Sequence, residues 1–247
     1  MPLITEQAQS ADKEARRAIK NGELMRAKIY FARALQLRQS IDNQAEAAAT
    51  LISLASVTHQ MHDDEGALIW LDKILSQNSP VYPAQHVTTA AFHKAVILTN
   101  LSRLNEADFA LKLSERLCNN ICSLHFGIDT LRARLWLLNE NPQLAMQLAQ
   151  TVIKDNATEK VEQANALRVI AAAEEKLSNF AGAFQHYQQT LEMDKALGLS
   201  GRISEDLTGL ARVSTQRGQH QEAALFAKRA LLATQQHTEN DSLPQNK

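Results

Sequence analysis

The chain has 247 residues, and 26 Lys and Arg stand against 27 Asp and Glu, a formal net charge of −1. A protein that neutralises many phosphates carries a positive excess, so nucleic acid is not expected as a partner. Gly and Pro number only 8 and 5 and aromatics are 5%, which points to helices with a core of Leu, Ala, Ile and Val.

In chain order, the first stretch, MPLITEQAQS, lacks a basic region followed by an apolar core, so no signal peptide is read there. First helices of successive pairs are expected at about 5–21, 43–61, 84–101, 124–139, 158–177 and 202–217. Second helices are expected at about 23–40, 64–77, 104–118, 142–155, 180–197 and 220–236. Asn141-Pro142 reads as an N-cap with proline at the first helical position, and Asp63-Asp64 and Asn105-Glu106 as acids at helix starts. Pro80 and Pro83 mark the longest connection. The end, HTENDSLPQNK, is polar and aperiodic, and residues 238–247 are expected to be a disordered tail.

A register runs through these pairs. Alanines recur in the second helices at Ala27, Ala67, Ala107, Ala145, Ala183 and Ala223, spaced by 40, 40, 38, 38 and 40 residues. Twelve residues before each stands another: Ala15, Ala55, Ala95, Ala133, Ala171 and Ala211. Small residues at both crossing points let two antiparallel helices approach closely. Five before each second alanine, the turn place holds Gly22, His62, Ser102, Glu140, Ser178 and Gly218.

These elements resemble tetratricopeptide repeats: a small residue in the first helix, a Gly-like turn, an alanine, then an aromatic and Ala-Leu. The closest matches are Gly22 to Ala27 with Tyr30-Phe31 and Ala34-Leu35, and Gly218 to Ala223 with Phe226 and Ala230-Leu231. The period exceeds the usual 34 residues and is similar to the longer variety found in kinesin light chains. Repeats 3 and 4 depart most, with Ser114-Glu115 in place of Ala-Leu and Glu140 at the turn. The resemblance implies an all-α fold, an α-solenoid of six antiparallel helix hairpins in a right-handed superhelix. It would form one domain over residues 1–237, with repeats at about 8–41, 48–81, 88–121, 126–159, 164–197 and 204–237.

By the same resemblance, the first helices line a concave groove that binds a peptide or protein segment. The residues it would present are Arg16, Lys20, Ile52, Ser56, Phe92, Val96, Asn100, Arg134, Arg168, Arg212 and Gln216. Arg134, Arg168 and Arg212 would form a basic ladder, suited to carboxylates. Ile52, Phe92 and Val96 would form an apolar patch. A partner carrying acidic and apolar groups would fit both. The last helix is apolar on most of its circumference, so Leu225, Phe226 and Leu232 are expected to support self-association as a homodimer.

Catalytic signals are weak. His59, His62, Asp63 and Asp64 have metal-like spacing, but His62 falls at a turn and the aspartates start a helix. Glu174 and Glu175 are adjacent and diverge by about 100° on a helix. Cys118 and Cys122 read as ordinary core or helix-end residues. No Gly-rich phosphate loop, GxSxG or HExxH is present, so no enzyme, metal or cofactor is expected. No run of 18 apolar residues exists, so no membrane span is read. The expected protein is a cytoplasmic scaffold, or an exported or lipid-anchored one where a leader has been removed. The alternative is a ligand- or peptide-sensing domain acting with a separate output protein.

Overall fold

The computed structural model describes residues 2–76, 81–119 and 122–242. The chain divides after Leu124 into two compact units. The first holds α1 (Pro2–Lys20), α2 (Leu24–Gln39), α3 (Gln44–Gln60), α4 (Asp64–Leu75), α5 (Ala84–Asn100) and α6 (Leu104–Cys118). The second holds α7 (His125–Leu138), α8 (Pro142–Lys154), α9 (Lys160–Lys176), α10 (Phe180–Leu197), α11 (Ser200–Gln216) and α12 (His220–Ser242). In each unit, consecutive helices pack as three stacked hairpins. The helix α12 continues past the expected end at 236, so the expected tail falls partly on it. Residues 243–247 and Pro80 lie outside the described residues.

The alanine register sets the crossings. Eleven of the twelve alanines are buried, and Ala211 is half-buried. Larger residues fill the flanks: Leu51, Leu54, Leu71, Leu98 and Leu111 in the first unit, and Leu135, Val152, Ile170, Leu210 and Val213 in the second. One helix of the second unit needs a gap instead. A Cβ at Gly209 would stand 2.7 Å from the Tyr187 ring, so glycine there lets α11 lie against that ring.

All six turns share one geometry. Gly22, His62, Ser102, Glu140, Ser178 and Gly218 have φ between 59° and 74°, the left-handed conformation. The next residue in each turn donates its N–H to the carbonyl five residues earlier, as in Asp63 to Thr58, Asn141 to Trp136 and Gln219 to Ser214. That is the Schellman pattern that closes a helix C-terminus. The sequence supplies glycine at only two of these places, and the other four hold a side chain in a disfavoured region. Ser178→Gly is therefore expected to stabilise the fold by about 1 kcal/mol. Gly218→Ala is expected to destabilise it by about as much, through the backbone alone, because an added Cβ there meets nothing within 4 Å. Urea midpoints check both. Midpoints matching the parent chain would show that the turns store no strain.

Two local expectations are corrected. The Asn141 side chain does not cap α8 but donates to the Asn139 carbonyl at 2.7 Å, leaving Pro142 at the first turn to start the helix. Asp63 does cap α4, accepting from the Gly66 N–H at 2.9 Å. Cys118 and Cys122 are joined by a disulfide rather than standing as separate core residues. Asn119, the residue after Cys118, is left-handed at the end of α6.

Candidate functional site

In the first unit, α3 packs against α5 and the expected face divides by burial. Arg16, Lys20 and Asn100 are exposed, while Ile52, Ser56, Phe92 and Val96 are half-buried. Phe92 meets the His93 ring edge-on, with centroids 6.0 Å apart. Burial lowers the His93 pKa, and His59 on α3 adds to the effect. These four side chains are thus only partly open to solvent.

In the second unit, α9 touches both α7 and α11. The three arginines of the expected ladder have three different fates. Arg168 is turned inward. Its Nε donates to Asp206 Oδ1 at 2.8 Å, its Nη2 donates to Asp194 Oδ2, and its Nη1 donates to Asn165 at 3.2 Å. Asp194 and Asp206 are fully buried. Arg168 therefore neutralises two interior carboxylates from α10 and α11 and is not a free hand for a ligand. Even so, Asp194 Oδ1 accepts no hydrogen bond within the described residues. Burial pushes the Asp194 carboxyl up to about 6; Arg168 opposes this and Asp206 adds to it.

Arg212 is exposed but also held. It donates to both oxygens of Glu175, at 2.9 and 2.7 Å, and to the Tyr187 hydroxyl at 3.2 Å. Burial pushes the Tyr187 hydroxyl up to about 12. Gln216, one turn further on, is exposed.

Arg134 differs from both. It is exposed, and no hydrogen bond or ion pair holds it among the described residues. Protein still stands close enough to disfavour its charge. Desolvation lowers its pKa, Glu205 opposes this, and Arg168 and Arg202 lower it further. An anion placed there would relieve that repulsion.

The sequence register placed these arginines on their helices, but it did not weigh the second helices. Asp194 lies eleven residues after Ala183, and in the first unit Arg38 lies eleven after Ala27. Arg38 is buried and donates to Asp12 and to Thr50, and it pairs with Glu46 at 2.9 Å. Asp12 and Arg168 both stand three residues before a first-helix alanine. The two hairpins thus carry one ion pair at one register, with the charges exchanged.

The three residues of the last helix expected to support self-association divide by burial. Phe226 is buried in the α9–α12 core, with its ring edge-on to Phe184 at 6.1 Å. Leu225 and Leu232 do remain exposed.

Hairpins stacked on small-residue crossings and closed by left-handed turns are the decisive features. The fold is the tetratricopeptide-repeat fold. No family model matches the sequence, and no curated protein does. Among solved structures, the chain is similar to a tetratricopeptide repeat protein from Parabacteroides merdae, at 14% identity and a TM-score of 0.57, over 98% of this chain and 100% of that one. It is also similar to the nearly identical TPR-like repeats of a kinesin light chain from Podosopora anserina, at 15% identity and a TM-score of 0.59, over 77% and 95%. A third is a signal-transduction ATPase with a tetratricopeptide repeat sensor from Pyrococcus horikoshii, at 17% identity and a TM-score of 0.62. That match covers 97% of this chain but 36% of the ATPase. No helix among the described residues is long and apolar enough to cross a membrane.

Proposed function

We propose that this chain is a non-catalytic scaffold that docks a protein or peptide segment on its first-helix faces. The observation that carries this reading is Arg134: an exposed cation, without an ion pair among the described residues, whose charge is disfavoured by desolvation and by Arg168 and Arg202 and only partly offset by Glu205. An acidic side chain of the partner would complete it as a charge-assisted contact. Ile52, Phe92 and Val96 offer apolar area on the first unit's face, flanked by the exposed Arg16, Lys20 and Asn100. Arg168 contributes field rather than contact.

Affinity capture with the wild-type chain and with Arg134→Glu tests the reading. Recovery of the wild-type partners is expected to fall at least about tenfold in the variant, the scale of a lost charged anchor plus a new repulsion. Equal recovery from both would sink it. Arg168→Glu is unsuitable for this purpose, because it would leave buried acids facing another acid.

The similarity to a repeat sensor within a larger ATPase supports a second reading, a sensing domain that acts with a separate output protein. A partner bound only in the presence of a small effector would favour it over plain docking. The disulfide supports the exported alternative over a cytoplasmic one, since thiols are kept reduced in the cytoplasm.

A further inference from the structure

The second helices of the first unit carry a feature outside the proposed docking faces. Ile29 on α2, Ile69 on α4 and Phe109 on α6 each stand two residues after the buried alanine of their helix. Two residues turn a helix by about 200°, so these side chains point away from the hairpin crossing. They are 61%, 61% and 73% exposed. Single exposed apolar residues are ordinary on protein surfaces. Three large ones at one register on three consecutive hairpins are not scatter. Met25, one turn before Ile29, adds a fourth at 58%. In the second unit the same place holds Gln147 and Gln185 on α8 and α10, and the row resumes only at the exposed Leu225 on α12.

The charge around this row has one sign left over. A cation follows each apolar residue by about one turn: Arg33 after Ile29, Lys73 after Ile69, and Lys112 after Phe109, with Arg116 a turn beyond. The acids nearby are already engaged. Glu65 is held by Arg103 at 3.0 Å, Asp72 by Lys94 at 2.5 Å, and Asp108 by Lys112 at 2.7 Å. Arg33 and Arg116 have no carboxylate partner among the described residues. A shallow depression of about 320 Å³ opens beside Phe109, lined by Lys112, Glu115 and Arg116.

We infer that this outer face of the first unit is a second docking surface, and that its occupant is an acidic amphipathic helix of another protein. The partner's apolar stripe would cover Ile29, Ile69 and Phe109, and its flanking carboxylates would meet Arg33 and Arg116. Helix recognition by regularly spaced apolar anchors is an established mode. The inference does not depend on the first-helix faces, and a chain with both surfaces would bring two partners together.

The test uses the whole chain and a fluorescein-labelled synthetic helix with a leucine stripe flanked by glutamates, beside a twin flanked by lysines. Fluorescence anisotropy is expected to show binding of the acidic peptide at least tenfold tighter than its twin. Ile69→Glu/Phe109→Glu and, separately, Arg33→Glu/Arg116→Glu are each expected to weaken it at least tenfold. The charge variant leaves the apolar row intact, and circular dichroism establishes that both variants remain helical. Arg134→Glu is expected to leave this binding unchanged, which separates it from the proposed groove. Three results would overturn the inference: no preference for the acidic peptide, binding untouched by either pair of substitutions, or a concentration-dependent dimer in sedimentation that those substitutions abolish. The last would make a second copy of this chain the occupant.

Discussion

Arg168→Met is expected to destabilise the protein by about 3–5 kcal/mol at neutral pH, the scale of a buried ion pair broken by removing one partner. Asp194 and Asp206 are fully buried, and Arg168 is the cation that bonds to both. Methionine keeps much of the volume but leaves both acids without that charge. The pH dependence gives the prediction a second edge. The Asp194 carboxyl is raised to about 6 from an ordinary value of 3.8. Between those values the folded state holds a proton that the unfolded state has released. Stability from this group therefore rises as pH falls through that window, and it is lost as pH rises through about 6. Without Arg168, Asp194 keeps its proton to higher pH still, because the opposing cation is gone. Its protonated form no longer needs a counter-charge. The deficit of the variant is thus expected to shrink between pH 7.5 and pH 5. Urea denaturation of both chains at several pH values checks this. A deficit that stays constant with pH would show that the loss is one of packing, not of charge.

How much of this was legible in the sequence depends on the range of the interaction. The hairpins follow from local signals. Alanines recur at fixed offsets, and a turn place five residues before each second alanine has to close a helix end. Those offsets located both Gly218 and the far less obvious Glu140, whose φ of 59° no composition rule would suggest. The expected groove residues lie on the first helices for the same reason. What they touch was not legible, because partners come from other helices. Arg168 and Asp194 are 26 residues apart, Arg168 and Asp206 are 38 apart, and a first-helix register says nothing of either carboxylate. The burial of Phe226 was not legible for a related reason. A helix apolar on most of its circumference does not reveal which side faces the core, and Phe184 together with the rest of the α9–α12 cluster decides that. The Ile29, Ile69 and Phe109 row was visible in principle. It lies at one constant offset from the same alanines, but on the side of the second helix that a groove-centred reading passes over.

The exchanged ion pairs offer a direct test of whether the register is a physical equivalence or only a numerical one. Arg38 and Asp12 occupy the places that Asp194 and Arg168 occupy four hairpins later. If the environments are equivalent, the first unit should accept the charges in either order. Arg38→Asp alone would set a buried carboxylate beside Asp12 and Glu46, and a loss of about 3–5 kcal/mol is expected. Asp12→Arg alone would set a second guanidinium against Arg38, with Glu46 still available at 2.9 Å to the original one, so its loss should be smaller. In the double variant, Arg at 12 faces Asp at 38 and can also reach toward Glu46. It should recover much of the sum of the single losses, with a coupling energy of about 2–3 kcal/mol. Recovery should stay incomplete, because Thr50 stands where the other site has Asp206 and Glu46 where it has Arg202. A double-mutant cycle by urea denaturation measures the coupling. Additive losses would mean that the two pairs share an offset but not a geometry. A positive coupling would show that the fold specifies a salt bridge at this place between the two helices of a hairpin and leaves its polarity to the neighbouring repeat.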